Sequence, residues 1–167
     1  MALSPDDLLA RLDALGIAHT THRHPAVFTV EEARVHTGHL PGCHCKNLFL
    51  KDKKGELWLV VARDDAAIDM KTLDKRIGAA RLSFGKPDLL AEVLGVIPGS
   101  VTPFALANDT EGRVHVVLDA VMMQADLVNY HPLTNEATTA LTPSDLVAFI
   151  RSTGHEPAIL AVDGEGG

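Results

Sequence analysis

The sequence predicts a mixed α/β (α+β) fold: a single domain with a largely antiparallel mixed sheet flanked by helices. Three observations carry this. The chain has 167 residues, a length that builds one core. Strand-like apolar runs are interspersed with segments of helical apolar spacing, and no linker, repeat or low-complexity run separates them. Short polar turns join several strands directly, which favours antiparallel pairing over a doubly wound parallel sheet.

Ser4-Pro5-Asp6-Asp7 is a helix start, with a capping serine, a proline in the first turn and acids at the positive end of the dipole. Leu8, Leu9, Leu12 and Leu15 recur at helical spacing, and Gly16 is a stop. Residues 17–24 read as a short strand. Thr29-Val-Glu-Glu32 is a capping box for a second helix to about His36. Gly38 to Cys45 reads as loop. Strands Lys46–Leu50 and Leu57–Ala62 flank the turn Lys51-Asp-Lys-Lys-Gly55 and form a hairpin. Asp69–Ile77 and Asp88–Leu94 are short helices. Phe104–Ala107, Val114–Leu118 and Leu127–His131 are expected strands, with Asn108–Gly112 a hairpin turn. Thr142-Pro-Ser-Asp145 starts a last helix, Ile159–Val162 closes the sheet, and residues 164–167 are expected to fray.

Composition bounds the function. Hydrophobic residues at 46% and charged residues at 22% exclude disorder, collagen and a disulfide scaffold. A net charge of -7 excludes a protein that coats nucleic acid by bulk charge. The distribution is uneven, however. From Lys46 to Lys86 ten basic residues face six acids, a local +4, and the remainder carries -11. That segment is either a solvated face or a surface for an anionic ligand. No apolar run approaches the ~20 residues of a membrane span, and the start lacks a basic n-region. A cytoplasmic location without a membrane partner is therefore expected. Cys43 and Cys45 lie two apart, poor geometry for a mutual disulfide, and are expected as reduced thiols. Aromatics at 4% cannot build a stacked single-strand platform.

Six of nine histidines (His19, His22, His24, His36, His39 and His44) crowd residues 19–45 with both cysteines. Zinc sites favour paired ligands recurring after a longer gap, and this cluster lacks that spacing. No metal and no cofactor are expected. Nucleophile-elbow, P-loop and dinucleotide patterns are absent. Lys46-Asn47 opens an apolar strand, and Lys46 is either a strand-end surface charge or a point charge for phosphate. Gly99 to Pro103, after Ile97-Pro98, is either a plain turn or a stiff loop that aims backbone groups at a ligand. His131 ends a strand, where it is either a satisfied half-buried histidine or a donor to substrate or water.

Five segments, in order, resemble the YbaK family of prolyl-tRNA synthetase-associated editing domains. They are Thr29-Val-Glu-Glu-Ala33, His44-Cys-Lys-Asn-Leu-Phe-Leu-Lys-Asp52, Pro98-Gly-Ser-Val-Thr-Pro-Phe-Ala-Leu106, Asn129-Tyr-His-Pro-Leu133 and Gly154-His-Glu-Pro157. Together they span nearly the whole chain. The most similar member type is the free-standing Ala-tRNA(Pro) deacylase.

The resemblance implies a metal-independent hydrolase that removes misattached alanine from the acceptor end of tRNA(Pro), with prolyl-tRNA synthetase as a further partner and no DNA. Lys46 resembles the family's strand-start lysine near the terminal adenosine, and Asn47 follows it in the pocket. Gly99 to Pro103, through Ser100, Val101 and Thr102, resembles the loop whose backbone positions ester and water. His131 matches a pocket histidine. Val27 and Phe28 are implied pocket walls. Lys51 and Arg81 fall where contacts to the acceptor stem are expected. A non-catalytic tRNA-binding adaptor on the same fold, and a small metalloprotein built on residues 19–45, are the competing readings.

Overall fold

The computed structural model describes residues 2–162; the fraying expected at 164–167 lies outside them. The chain folds as α1 (Pro5–Ala14), β1 (Thr20–Arg23), α2 (Val30–Thr37), β2 (Cys43–Asp52), β3 (Leu57–Arg63), α3 (Met70–Ile77), β4 (Leu82–Phe84), α4 (Pro87–Leu94), a 3-10 helix (Pro103–Asn108), β5 (Val114–Asp119), a 3-10 turn (Met122–Gln124), β6 (Val128–Tyr130), β7 (Ala137–Leu141), α5 (Pro143–Ser152) and β8 (Ala158–Leu160). Among these residues no helix is long and apolar enough to cross a membrane.

The strands lie in the order β1-β7-β6-β2-β3-β5-β8, and β4 pairs with β2 beside that path. Pairings β1–β7, β2–β3, β2–β4 and β6–β7 are antiparallel. Pairings β2–β6, β3–β5 and β5–β8 are parallel. The sheet is thus mixed and flanked by helices, as the interspersed elements predict. Strand alternation builds two cores. Phe49, Leu57, Leu59 and Val61 pack on one face with α1, α4, α5 and the 3-10 helix. Leu50, Val60, Ala62 and Val117 pack on the other with Leu73 of α3.

The helix starts follow the capping logic. Ser4 and Asp7 form a reciprocal capping box, and Thr29, Asp69 and Thr142 each accept a backbone N–H. The strand expected at Phe104–Ala107 is instead the 3-10 helix. Pro103 occupies its first turn and Thr102 caps it through Phe104 N–H, which outweighs a short apolar run that has no diagnostic period. Asn108–Gly112 is therefore a helix-to-strand turn, not a hairpin. The expected loop 38–45 is strand from Cys43 onward. Two strands were not expected. β4 has only three residues, and β7 (ATTAL) lacks apolar alternation because its threonines are buried among polar neighbours.

Two buried carboxylates lock turns. Asp52 accepts from the Lys54 and Glu56 N–H groups (2.9 and 3.0 Å), from Trp58 Nε1 and from Ala80 N–H (both 3.2 Å). It ties the β2–β3 hairpin to the segment entering β4. Asp109 accepts from Arg113 and Val114 N–H and bonds His155 Nε2 at 2.8 Å. His155 belongs to the Gly154-His-Glu-Pro157 motif, which thus fastens the end of α5 to the start of β5. Burial alone would raise the Asp109 carboxyl. Its hydrogen bonds with His155, Arg113 and Val114 outweigh that and hold it below the ordinary carboxylate value.

A carboxylate depressed in the folded state stabilises fully above its unfolded pKa of about 4, and the gain is lost as pH falls through the lower folded value. Asp109→Ala is expected to cost roughly 3 kcal/mol in urea denaturation at pH 7, since it strands a buried histidine and two N–H groups. Asp109→Asn should lessen the loss of stability on acidification below about pH 4. A wild-type acid slope in that variant would show that other carboxylates govern it.

Candidate active site

Strand β2 changes neighbours along one of its edges. Cys43 and His44 pair with β6, Leu50 to Asp52 pair with β4, and Cys45 to Phe49 lie in the gap between. The other edge pairs continuously with β3 from Cys45 to Lys51. In an antiparallel ladder the backbone groups of alternate residues point to the same edge. Cys43 N–H reaches Leu127 O and Phe49 O receives Gly85 N–H across that edge. Asn47 shares their parity, so its N–H and C=O face the gap.

An open cleft of ≈ 200 Å³ occupies this gap, lined by Val27, Phe28, Lys46, Asn47, Gly99 and His131 together with Thr29, Ala33, Cys45, Pro98 and Val101. Seven residues singled out in the sequence therefore meet in one place: Val27, Phe28, Lys46, Asn47, Gly99, Val101 and His131. Ser100, Thr102 and Pro103 do not line it. They are buried behind the loop, where Ser100 N–H bonds Ile97 O at 2.9 Å and Thr102 caps the 3-10 helix. The Gly99 and Val101 N–H groups meet no acceptor among the described residues.

Lys46 Nζ donates to Ala66 O at 2.6 Å, which holds the ammonium in place with further N–H groups to spare. Asn47 Oδ1 is buried without a hydrogen-bond partner among the described residues. A buried acceptor left in this state is uncommon in folded proteins, and this one borders a cleft. His131 Nδ1 lies 2.9 Å from Ala137 O and must be the protonated nitrogen there, so in the neutral ring Nε2 is the acceptor. Burial lowers the His131 pKa. The hydrogen bond to Ala137 offsets part of this, and nearby His24 adds to the lowering. Of the two sequence readings for His131, the satisfied half-buried histidine describes Nδ1; in the neutral ring Nε2 is an acceptor toward the cleft and not a donor. Two residues on, Leu133 has φ 66, a conformation that bulky residues avoid.

Sequence reasoning missed Asn135. Its side chain donates to Val27 O at 3.0 Å and its backbone O accepts Val27 N–H at 3.1 Å. A Cβ on Gly99 would lie 3.2 Å from Asn135 Nδ2, 3.2 Å from Phe28 Cδ1 and 3.4 Å from Val27 O. Asn135 thereby fixes the wall opposite Gly99. A polar residue in a turn carries no sequence signal for this role.

The crowded histidines do not converge as ligands. Among the described residues no three His, Cys, Asp or Glu side chains are placed to hold a metal ion. Rings stack or tilt instead: His24 lies 6.4 Å from His36, 6.2 Å from His22 and 6.2 Å from His131. His24 also bonds Pro25 O and Thr138 Oγ1. Lys51 and Arg81 are exposed at the far end of β2, where Lys53 N–H bonds Arg81 O. Lys51 lies five residue steps along the strand from Lys46, about 16 Å at ~3.3 Å per residue.

A mixed sheet with a cleft at a strand's open edge, lined by a lysine, a half-buried histidine and backbone N–H groups without acceptors among the described residues, suits an anionic or carbonyl ligand. Comparison with known proteins narrows this class. Residues 24–149 match the aminoacyl-tRNA editing domain, and the chain belongs to that family. It is 44% identical over 168 residues to prolyl-tRNA synthetase associated domain-containing protein 1 of Danio rerio, covering 97% of this chain and 91% of that protein. It is 38% identical over 149 residues to the prolyl-tRNA editing protein ProX of Acetoanaerobium sticklandii, covering 89% and 91%. A solved structure described as a candidate trans-editing enzyme for prolyl tRNA synthetase superposes with a TM-score of 0.69 at 22% identity, covering 95% of this chain and 98% of that one. That likeness is one of fold.

Gly99→Ala should destabilise the protein by about 1 kcal/mol through overpacking. Asn135→Ala should lose a similar amount with its hydrogen bond. Because the new methyl would press on Asn135, the double variant should fall short of the sum by ~0.5 kcal/mol or more in a denaturation cycle. Strict additivity would show that the two positions do not touch.

Proposed function

We propose that this chain hydrolyses the ester that joins alanine to tRNA(Pro), in trans to prolyl-tRNA synthetase, by direct attack of a positioned water. The observation that carries this reading is the cleft at the open edge of β2, where Lys46, Asn47, Gly99, Val101 and His131 meet in an editing-family chain.

The reason for such an activity is size. A synthetic site shaped for proline rejects the smaller alanine weakly, since each methylene discriminates by only ~1–3 kcal/mol. A second site walled by Val27 and Phe28 then takes alanine and excludes proline. Asn135 and Gly99 hold that wall at a fixed distance from the loop.

An aminoacyl ester is already activated, so a positioned water and an oxyanion donor suffice. Water oxygen attacks the ester carbonyl carbon. The neutral His131 presents Nε2 as acceptor for a water or ribose hydroxyl proton. Gly99 and Val101 N–H groups receive the developing oxyanion, and the ribose oxygen leaves with a proton, releasing alanine. Lys46, tethered to Ala66 O, anchors the phosphate of the terminal adenosine. Cys45 borders the cleft, but burial pushes its thiol well above the ordinary value, with Cys43 adding to the effect. It stays protonated at neutral pH and is a poor nucleophile. Ser100, Thr102 and Pro103 support the loop from behind. Lys51 and Arg81 contact the acceptor stem, and docking on the synthetase belongs to the same reading. The proposed place of action is the cytoplasm.

The purified chain should release alanine from Ala-tRNA(Pro) and leave Pro-tRNA(Pro) intact, with or without chelator. Lys46→Ala should lower kcat/KM at least 10-fold while the thermal transition is kept. Binding of Ala-tRNA(Pro) without turnover would sink the hydrolase and favour an adaptor, and chelator sensitivity would overturn metal independence.

The reaction needs neutral His131, whose pKa is depressed. Activity should therefore be level near neutrality and fall only as pH drops below the ordinary histidine value of about 6.5. His131→Asn should lose most activity together with that acid limb; a retained limb would assign it to another group.

A further inference from the structure

We propose that Cys43 and Cys45 form an oxidisable dithiol site beside the cleft, and that peroxide closes it to a disulfide that halts turnover. The activity part rests on the deacylase reading; the thiol chemistry does not.

These are the chain's two cysteines. They sit two apart on β2, so their side chains project to the same face. The sulfurs lie 3.9 Å apart, with Cys45 placed to donate to Cys43. The spacing of alternate strand residues, about 6.6 Å, falls at the upper end of the Cα range that a disulfide spans. Spacing is therefore a source of strain and not a bar to bonding.

The two thiols divide the labour. Cys43 opens on a surface groove with Arg34, His44, Arg63 and Asp64. Cys45 lies inward against Tyr130 and lines the cleft. The Cys45 hydrogen bond lowers the Cys43 pKa; burial and Asp64 oppose this and the Arg63 charge assists it, for a net lowering. Cys43 is thus the accessible attacking sulfur and Cys45 the resolving one.

Cys43 thiolate attacks one oxygen of hydrogen peroxide. The O–O bond breaks, hydroxide leaves and takes up a proton, and Cys43 becomes a sulfenic acid. Cys45 is protonated at rest, so its proton passes to the adjacent sulfenic hydroxyl as its sulfur attacks Cys43 sulfur, and the S–O bond breaks with loss of water. In sum, two thiols and one peroxide give one disulfide and two waters. Drawing the two sulfurs together bends β2 at His44, two residues before Lys46. A strained disulfide of this kind is readily reduced, so the state is reversible.

The test treats the intact protein with hydrogen peroxide and follows free thiols, intact mass and Ala-tRNA(Pro) deacylation, before and after a dithiol reductant. Both thiols should disappear together, the monomer should become two hydrogens lighter, and activity should fall at least 10-fold and return on reduction. Cys43→Ser, outside the cleft, should keep its activity and resist peroxide. Retained thiols, a disulfide between two chains, or sulfinic acid without an internal bond would overturn the site. An internal disulfide with unchanged activity would overturn the shut-off. If the reduced protein has no deacylase activity, the functional reading fails while the mass and thiol readings still decide the chemistry.

Discussion

Strand β2 must satisfy two neighbours on one edge, and the site follows from the interval between them. Its first residues pair with β6 and its last with β4. The five residues between have no strand on that side. Because β3 pairs with the opposite edge throughout, the segment stays extended and rigid although one edge is open. An unpaired edge normally attracts aggregation or is covered. Here the Gly99 loop, the Val27-Phe28 segment and His131 stand across from it, leaving a cleft between rigid walls. Lys46 and Asn47 project to opposite faces of the strand by its pleat, and both still border the cleft, because an open edge is reached from either face.

Hydrogen bonds tie the walls to β7 and the turn before it. Asn135 grips Val27 twice, Thr138 fixes His24, and Ala137 O fixes the His131 tautomer. All three partners come from β7 or the turn before it. That turn carries the positive φ of Leu133, a strain of order 1–3 kcal/mol that surrounding contacts must sustain. The Asn129-Tyr-His-Pro-Leu133 segment therefore does two jobs. It delivers His131 to the cleft and turns the chain sharply enough for Asn135 to reach back to Val27.

This arrangement explains what could be read from sequence and what could not. Helix starts were legible because Ser4, Thr29, Asp69 and Thr142 cap through local hydrogen bonds. The β2–β3 hairpin was legible because Asp52 and Gly55 close it within a few residues. β7 was not, since its threonines are buried by distant partners such as His24 and Thr21. The apolar run at Phe104 was misread because a cap and a proline, not periodicity, decide it. Lys46, Gly99 and His131 stand out by residue type and position, and the resemblance chooses between their readings, yet their meeting depends on the β2 partner change, which no local pattern encodes. Asn135 was invisible for the same reason: its bond to Val27 spans 108 positions of sequence.

The proposed acceptor-stem contacts Lys51 and Arg81 lie at the opposite end of β2 from the cleft, about 16 Å along the strand from Lys46. That separation exceeds the Debye length of about 8 Å at physiological ionic strength, so between exposed charges the two ends act nearly independently. Under the proposed function, stem affinity would then vary with salt and surface charge without disturbing the protonation of His131, which depends on burial and on Ala137 and His24. An acidic protein with a local +4 segment is suited to such a division. Its remaining -11 opposes indiscriminate binding to polyanions.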